Sequence, residues 1–388
     1  MKKLVRYFLF TIGVLMILVL ALHLTGNGHI LEALPQTYFR GITKPDIDDL
    51  KYSDTKVIAK ADQPEHWKMS SSLPGKVLSD KDLAYHEQLQ STVFLVTQGD
   101  EILYEQYWED YNKNTLSNSF SMAKTFTAMC IMRAEEEGWL KTSDKVCKFL
   151  PRFCDGENTK LTIAHLLQMS SNIDFGESYS NPFGYQAKAY FNDDLFGLTA
   201  PYLVEEGAGT VWKYQGGDTV ILHEILESAT GKSLADLFSE NFWQRIGTSH
   251  AAYWGLDDND GKEKAFSAVY ATGRDFAKVG KLLRDFGKLS DGEEVLSAHS
   301  IAKMTEPANL PDKDGDVVNY YGYQLWLLND LDAPVYMLKG MRGQYIINIP
   351  QWEMTIVRLG HVRDVKQGKA YSKDVYRWIE MGKNLGGL

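Results

Sequence analysis

The sequence predicts an α+β fold (α/β in the broad sense), in which helices flank an antiparallel β-sheet and a mainly helical region is inserted into the chain. Two β-rich segments surround a Gly-Asp turn near residue 100, and strand-like segments return after residue 320. Helical patterns fill most of the chain between them. Strands at both ends of a helical region are typical of one sheet that carries a helical insertion.

A basic and apolar N-terminus precedes this domain. Lys2, Lys3 and Arg6 are followed by residues 7–22, a run without charge that is rich in Leu, Val and Ile. This pattern is typical of a signal anchor or a signal peptide, here residues 1–24. No Ala-x-Ala cleavage site follows, so an uncleaved membrane anchor is favoured over a protein secreted after signal cleavage. The positive charges keep the N-terminus in the cytoplasm, and the rest of the chain is expected in the periplasm or outside the cell.

The remaining elements follow in order. Residues 25–80 are polar and contain several prolines, which predicts a linker that wraps onto the domain. The domain is expected over residues 81–388, with its helical insertion at roughly residues 142–267. Strands are predicted at residues 92–97, 102–108, 322–328, 335–338, 345–349 and 354–359. Helices are predicted from Ser121 to near Gly138 and at residues 163–169, 219–229, 276–283 and 372–381.

The composition limits the functional classes. The chain has 388 residues and a formal net charge of −10, and no basic patch is interleaved with aromatic residues, so nucleic acid is not an expected partner. His223 and Glu224 begin like a zinc motif, but Glu227 stands where the second histidine is needed. No metal and no cofactor are therefore expected. Cys147 and Cys154 could close a small disulfide loop in an oxidising compartment, or they could be buried thiols.

A Ser-x-x-Lys motif is the predicted centre of the chemistry. Residues three apart share a helix face, so Ser121 and Lys124 are expected within hydrogen-bond reach. A desolvated lysine can take the proton of a serine hydroxyl and make it a nucleophile. The chain contains the same spacing at Ser53 and at Ser300, but only Ser121 follows a hairpin and starts a long helix with an apolar face. No Gly-x-Ser-x-Gly sequence occurs, which argues against an α/β-hydrolase.

Several separated segments, taken together with this motif, indicate a family. They are Ser-Met-Ala-Lys at residues 121–124, the segment 161–171, Trp-Lys-Tyr-Gln-Gly-Gly-Asp-Thr at 212–219, Thr-Gly-Arg-Asp at 272–275 and Gly-Met-Arg-Gly-Gln at 340–344. In this order they resemble motifs of the serine β-lactamase and penicillin-binding superfamily. The similarity is greatest to its class C-like branch, which includes esterases and 6-aminohexanoate-dimer hydrolases. The resemblance extends from about Val93 to the C-terminus and implies a β-lactamase/transpeptidase-like fold.

The resemblance also implies roles for individual residues. Ser121 would attack a carbonyl and form an acyl-enzyme, while Lys124 and Tyr214 would move the proton. A tyrosine has an ordinary pKa of about 10, so Tyr214 would need the positive field of Lys124 to act as a base. The backbone amides of Ser121 and Met341 would form an oxyanion hole. Three further positions are implied to bind substrate: Gly216, Gly340 and Gln344.

Two departures from the family pattern bear on the substrate. Gly216 stands where the family often has asparagine, and Leu338 stands where it has the lysine of Lys-Thr-Gly. Lys339 is displaced by one residue and should point to the other face of its strand. The missing groups would hold the amide and the carboxylate of a β-lactam, so weak or absent β-lactam turnover is expected. Arg342 could replace the lysine if it faces the pocket.

The sequence therefore predicts an exported serine hydrolase that is held at the membrane by its N-terminal segment. Its expected substrate is a small-molecule or short-peptide ester or amide. Two alternatives remain open. One is a D-alanyl peptidase or amidase that acts on cell-wall peptides, and the other is an inactive homologue that binds such a peptide as a sensor.

Overall fold

A computed structural model describes residues 1–72 and 75–388. Its strands are β1 (Thr55–Ile58), β2 (Lys68–Met69), β3 (Ser91–Gln98), β4 (Glu101–Tyr107), β5 (Ser117–Asn118), β6 (Ala252–Gly255), β7 (Val269–Ala271), β8 (Leu310–Pro311), β9 (Val317–Val318), β10 (Trp326–Leu328), β11 (Val335–Gly340), β12 (Gln344–Ile349), β13 (Met354–Gly360), β14 (Lys366–Gln367) and β15 (Tyr371–Ser372). Its α-helices are α1 (Lys2–Leu24), α2 (His29–Gln36), α3 (Asp80–Gln88), α4 (Ala123–Glu136), α5 (Ile163–Leu167), α6 (Tyr185–Phe191), α7 (Leu195–Thr199), α8 (Gly217–Thr230), α9 (Leu234–Phe238), α10 (Gly273–Arg284), α11 (Ala298–Met304) and α12 (Lys373–Gly386).

A seven-stranded sheet forms the centre of the domain, with strand order β10-β11-β12-β13-β3-β4-β2. Neighbouring strands are antiparallel except at the edge, where β2 runs parallel to β4. The predicted antiparallel sheet with flanking helices is thus confirmed. The predicted strand at 322–328 is shorter than expected, because Gln324 has a φ of 54°, which a β-strand does not accommodate.

Alternating side chains cover the two faces of this sheet. In β12, Ile346 belongs to the larger hydrophobic cluster, which includes α4 and α10, whereas Ile347 belongs to the cluster that includes α12. This period of two is what a strand buried on both faces requires. The amphipathic helix α10 is capped by Thr272, whose hydroxyl accepts a hydrogen bond from the Asp275 amide.

A second sheet has four strands in the order β1-β6-β7-β5 and was missed by the sequence analysis. Its strands are two to four residues long, too short to show a period in the sequence. The strand β6 lies near the end of residues 142–267, the region that was predicted as helical. The strand β5 leads directly into the turn that carries Ser121.

The predicted linker at residues 25–80 contains more regular structure than expected. It supplies helix α2 and strands β1 and β2, which pair with β6 and β4 respectively. Before it, α1 is a 23-residue helix that contains an 18-residue segment with a mean hydropathy of 2.4, and none of its residues is buried. A helix of this length spans about 35 Å, enough to cross the roughly 30 Å hydrocarbon core of a bilayer.

The cysteines settle one alternative that the sequence left open. Cys147 and Cys154 form a disulfide in the structure, and Cys130 is a buried free thiol. The disulfide closes a loop next to the helical region.

A buried charge cluster joins α8 to the loop before β7. His223 Nε2 lies 3.2 Å from Glu263 Oε2 and 3.4 Å from Glu227 Oε1. The other oxygens of these carboxylates accept hydrogen bonds from the Ala235 amide and from Lys262 Nζ. Burial lowers the pKa of His223, but the two carboxylates outweigh this and raise the pKa to about 9. The sequence could not place Glu263 beside His223, because the two residues are far apart in the chain.

Replacing His223 with glutamine is expected to lower the free energy of unfolding by about 3–5 kcal/mol near pH 6, because the buried Glu263 carboxylate loses its cation and the partly exposed Glu227 keeps only Lys262. The pKa of His223 is raised from 6.5 to about 9, so this stabilisation is fully present below pH 6.5 and is lost as the pH rises through 9. Urea denaturation in mild detergent should therefore show the difference from wild type shrinking over that range. The control is His299→Gln, at an exposed histidine. If the difference in unfolding free energy between wild type and His223→Gln stays constant with pH, the assignment of a positive charge to His223 is wrong.

Candidate active site

The Ser121 side chain lies in a short turn between β5 and α4. This turn is a 3₁₀ helix at Phe120–Met122, so α4 begins two residues later than predicted. Phe120 has a φ of 45°, a conformation that is strained for a bulky residue. The Asn118 side chain accepts a hydrogen bond from the Phe120 amide at 2.8 Å, and the Ser119 amide donates to the Val269 carbonyl at 2.7 Å. Contacts with the second sheet thus hold the turn in this shape.

Lys124 contacts Ser121 directly. Its Nζ donates hydrogen bonds to Ser121 Oγ at 3.3 Å and to the Phe266 carbonyl at 3.0 Å. The Lys124 side chain is 1 % exposed, and this burial lowers its pKa to about 8, although Glu177 opposes the shift. A substantial fraction of Lys124 is therefore neutral in mildly alkaline solution, and a neutral amine next to a hydroxyl can accept its proton.

The other two Ser-x-x-Lys pairs make no comparable contact. Lys56 Nζ donates to Ser233 and Asp236, away from Ser53, whose hydroxyl lies 3.1 Å from that of Tyr270. Ser300 donates to Glu136, and Lys303 donates to Glu135. These contacts tie each pair to neighbouring elements and leave neither lysine facing its serine.

Tyr214 packs beside the Lys124 ammonium. The distance from Lys124 Nζ to the centre of the Tyr214 ring is 5.1 Å, and the ring packs at 5.3 Å from that of Trp326. Burial raises the pKa of Tyr214 above its ordinary value, and its interaction with Ser121 only partly opposes this rise. Tyr214 therefore keeps its proton at neutral pH. Of the two partners, Lys124 is the better placed to act as the base, which differs from the expected activation of Tyr214 by the lysine.

Glu177 is a site residue that the sequence analysis missed. Its Oε1 accepts hydrogen bonds from the amides of Gly216 and Gly217, at 2.6 and 2.8 Å, at the start of α8. Burial raises the pKa of this carboxyl, while the two amides and the charge of Lys124 oppose the rise. Glu177 belongs to no motif, and only the fold brings it to Lys124. The predicted substrate position Gly216 thus has a different observed role, because its amide holds Glu177.

The predicted oxyanion-hole residues, Ser121 and Met341, line the same cavity. Met341 opens a 3₁₀ turn directly after β11. A Cβ atom on Gly340 would lie 2.3 Å from the Ser119 carbonyl oxygen, so glycine lets β11 approach the serine turn. This close approach to Ser119 sets the separation between the two turns, and substrate binding at Gly340 stays a prediction.

Gln344 requires a correction. Its side chain is fully buried and is not among the residues that line the cavity. Its Nε2 donates to the carbonyls of Met341 and Gly360, and its Oε1 accepts from the Gly360 amide. These bonds use the amide group on backbone partners, so Gln344 positions the Met341 turn and is not a substrate contact.

The two cationic residues closest in sequence to Leu338, the family's lysine position, are engaged elsewhere. Leu338 is buried in the larger hydrophobic cluster, whereas the Lys339 ammonium lies 3.5 Å from the centre of the Trp326 ring and donates to the Ala370 carbonyl. Arg342 donates to the carbonyls of Pro45, His361 and Lys44. Arg342 is thus bound to the N-terminal segment and is not free to replace the lysine.

The cavity beside Ser121 has a volume of about 320 Å³, at the lower end of the range for small-molecule sites. One wall consists of the segment around Tyr179, whose hydroxyl interacts with Ser121, together with helix α6. Helix α2, which packs against α6, and the residues that follow it also line the cavity. These residues are His29, Ile30, Ala33, Thr37, Tyr38, Thr43, Lys44 and Pro45.

Comparisons with known proteins agree with this architecture. The family model described as Beta-lactamase matches residues 79–370. The 6-aminohexanoate-dimer hydrolase of Paenarthrobacter ureafaciens is 23% identical over 295 residues, which cover 70% of this chain and 73% of that protein. Penicillin-binding protein 4* of Bacillus subtilis (strain 168) is 32% identical over 181 residues, covering 42% of this chain and 38% of the relative.

Solved structures show the same fold. A putative 6-aminohexanoate-dimer hydrolase from Bacillus anthracis superposes with a TM-score of 0.73 at 21% identity, covering 87% of this chain and 93% of that one. A family VIII carboxylesterase superposes with a TM-score of 0.63 at 19% identity, covering 82% and 99%. The β-lactamase/transpeptidase-like fold predicted from the motifs is therefore confirmed.

Proposed function

The chain belongs to the Beta-lactamase family, and from this premise we propose that it is an exported, membrane-tethered serine hydrolase that forms an acyl-enzyme on an ester or amide. The observation that carries the proposal is the 3.3 Å contact between Lys124 Nζ and Ser121 Oγ, made by a buried lysine whose pKa is lowered to about 8. Neither of the other Ser-x-x-Lys pairs has this arrangement.

In the proposed first half-reaction, neutral Lys124 takes the proton of Ser121 as Oγ bonds to the substrate carbonyl carbon. The carbonyl oxygen becomes an anion, which the amides of Ser121 and Met341 stabilise. The intermediate collapses to the acyl-enzyme when the bond to the leaving group breaks. Tyr214, which holds its proton, donates it to the leaving group and recovers a proton from the Lys124 ammonium.

In the second half-reaction, water attacks the acyl-enzyme carbonyl and its proton passes to Lys124, which is neutral again at this point. Collapse of the second intermediate releases the acid and returns a proton to Ser121 Oγ. Glu177 faces the Lys124 ammonium that forms in each half-reaction. Its charge favours that protonated state and so favours proton uptake from serine or water.

Two features support export and anchoring. The helix α1 begins with a basic cluster, continues as an apolar segment and is long enough to span a bilayer. The disulfide between Cys147 and Cys154 is of the kind that persists outside the reducing cytoplasm. We place the catalytic domain in the periplasm or outside the cell.

The proposed substrate preference follows from the contacts that two cationic side chains make. Lys339 and Arg342 are engaged by Trp326 and by backbone carbonyls, so neither is available for the carboxylate of a β-lactam. Losing a hydrogen bond to a charged group costs about 1.5–3 kcal/mol, or roughly ten- to a hundredfold in binding. The same loss disfavours the alternative of a D-alanyl peptidase, whose substrates carry a terminal carboxylate.

A substrate panel on the purified protein tests this proposal. We expect hydrolysis of nitrophenyl acetate with a kcat/KM at least about tenfold above that for nitrocefin, since a short ester needs no carboxylate contact. Ser121→Ala should abolish both activities, and Ser300→Ala should abolish neither. More efficient turnover of nitrocefin would overturn the preference, and the absence of any turnover would favour the inactive-homologue alternative.

A further inference from the structure

The cavity beside Ser121 is closed on one side by a part of the chain that lies outside the matched family region. The family model begins at residue 79, whereas the wall formed by α2 and residues 37–45 precedes it. We call this wall, from residue 29 to residue 45, the N-terminal wall. Because it lines the same cavity as Ser121, it limits which acyl groups can reach Oγ.

Specific contacts fix the N-terminal wall to the domain. His29 Nε2 lies 2.8 Å from the Pro182 carbonyl oxygen, next to helix α6. At the other end, Arg342 Nε donates to the Pro45 carbonyl at 2.9 Å, and Asp46 pairs with His361 at 3.0 Å. The wall is thus held at both ends and behaves as part of the binding site.

The same wall is joined to α1 by a very short connection. Helix α1 ends at Leu24 and α2 begins at His29. Five residues of extended chain span at most about 18 Å. Whatever the tilt of α1, a cavity wall that begins at His29 therefore lies within about 18 Å of the end of the apolar helix.

Exposed aromatic side chains surround the cavity on this side. Tyr38 and Tyr179 line it and are 57% and 50% exposed. Phe39 and Phe183, adjacent in sequence to the lining residues Tyr38 and Pro182, are 77% and 55% exposed. Aromatic residues of this kind are enriched where a protein meets the interface of a bilayer. Since the wall that carries Tyr38 begins within about 18 Å of the end of α1, we infer that this face of the domain rests on the membrane.

We propose that the substrate is an acyl ester of a membrane amphiphile, whose acyl chain leaves the bilayer and enters the cavity between the N-terminal wall and α6. Ser121 takes the acyl group, the alcohol leaves with a proton, and water then releases the fatty acid. This inference rests on the proposed serine hydrolase activity and on the membrane position of α1. It deepens that proposal by naming the source of the acyl group.

The first test compares chain lengths. Full-length protein in phosphatidylcholine vesicles should hydrolyse methylumbelliferyl decanoate with a kcat/KM at least about tenfold above that for the acetate. Ala33→Trp adds a large side chain to the N-terminal wall and so narrows the cavity. It should lower this decanoate-to-acetate ratio at least tenfold. Ala302→Trp, on the exposed face of α11, is the matched control and should leave the ratio at the wild-type value. A ratio of one in the wild type, or a ratio unaffected by Ala33→Trp in a protein that still reacts with a serine probe, overturns the inference.

The second test does not depend on a substitution. Vesicles that contain both the enzyme and the decanoate ester are compared with enzyme vesicles mixed with separate ester vesicles. Because α1 holds the cavity at one membrane, turnover within the same vesicle should be at least about tenfold faster. Equal rates overturn the membrane source of the substrate. Acetate turnover reports on the proposed function separately: if the wild type hydrolyses acetate but fails both tests, only the substrate inference is wrong.

Discussion

Lys124→Met should lower kcat/KM for nitrophenyl acetate by about 10²–10⁴-fold, the usual contribution of a positioned general base. Methionine fills most of the buried space of the lysine, which is 1 % exposed, but it cannot accept the proton of Ser121. The matched control is Lys303→Met. It removes the lysine of a second Ser-x-x-Lys pair, one whose ammonium contacts Glu135 and not its serine. This control should retain wild-type activity.

The pH dependence gives the same prediction an independent readout. Only neutral Lys124 can act as a base, so wild-type kcat/KM should rise with pH and level off above the lysine pKa of about 8. The rise should be absent from the residual activity of Lys124→Met. A wild-type profile that is flat between about pH 6 and 9 would contradict the assignment of Lys124 as the base.

Gly340→Ala should lower kcat by about 10²–10³-fold, the usual cost of losing one oxyanion-hole donor. The new Cβ would lie 2.3 Å from the Ser119 carbonyl oxygen, so β11 must move away from the serine turn. The Met341 amide moves with the strand and leaves its position opposite Ser121. KM should change much less, because the amide acts mainly on the transition state.

The matched control for that substitution is Gly75→Ala. Among the residues that the structure describes, no atom lies within 4 Å of a Cβ added to Gly75, and Gly75 does not require a positive φ. It should therefore keep wild-type kinetics. If Gly340→Ala also keeps wild-type kcat while the protein remains folded, the proposed oxyanion hole is wrong.

The parts of the fold that could be predicted are those with a local signal. The hairpin β3–β4 and the helices α4, α8 and α10 each have a strong residue pattern and clear end signals. The four-stranded sheet lacks such a signal, because its strands are short and come from distant parts of the chain. Helix α2 was also missed, because its eight residues include a proline and lie in a segment with several proline breaks.

The candidate site shows the same difference between local sequence signals and contacts that only the fold creates. The contact between Ser121 and Lys124 depends on a spacing of three residues, which the sequence displays directly. The positions of Glu177 and Gln344 depend on backbone amides and carbonyls from other segments, which no residue pattern reveals. The role of Gly340 depends likewise on a distant carbonyl, that of Ser119. Sequence reasoning therefore found the proposed reacting pair and missed the groups that hold it in place.

The measurement that tests the central claim most directly is covalent labelling with a fluorophosphonate probe, followed by peptide mass spectrometry. We predict stoichiometric modification of the peptide that contains Ser121, at the hydroxyl that Lys124 contacts, and loss of labelling in Ser121→Ala and Lys124→Met. Modification of Ser53 or Ser300 in its place, or full ester turnover by a protein whose Ser121 remains unmodified, would contradict the account.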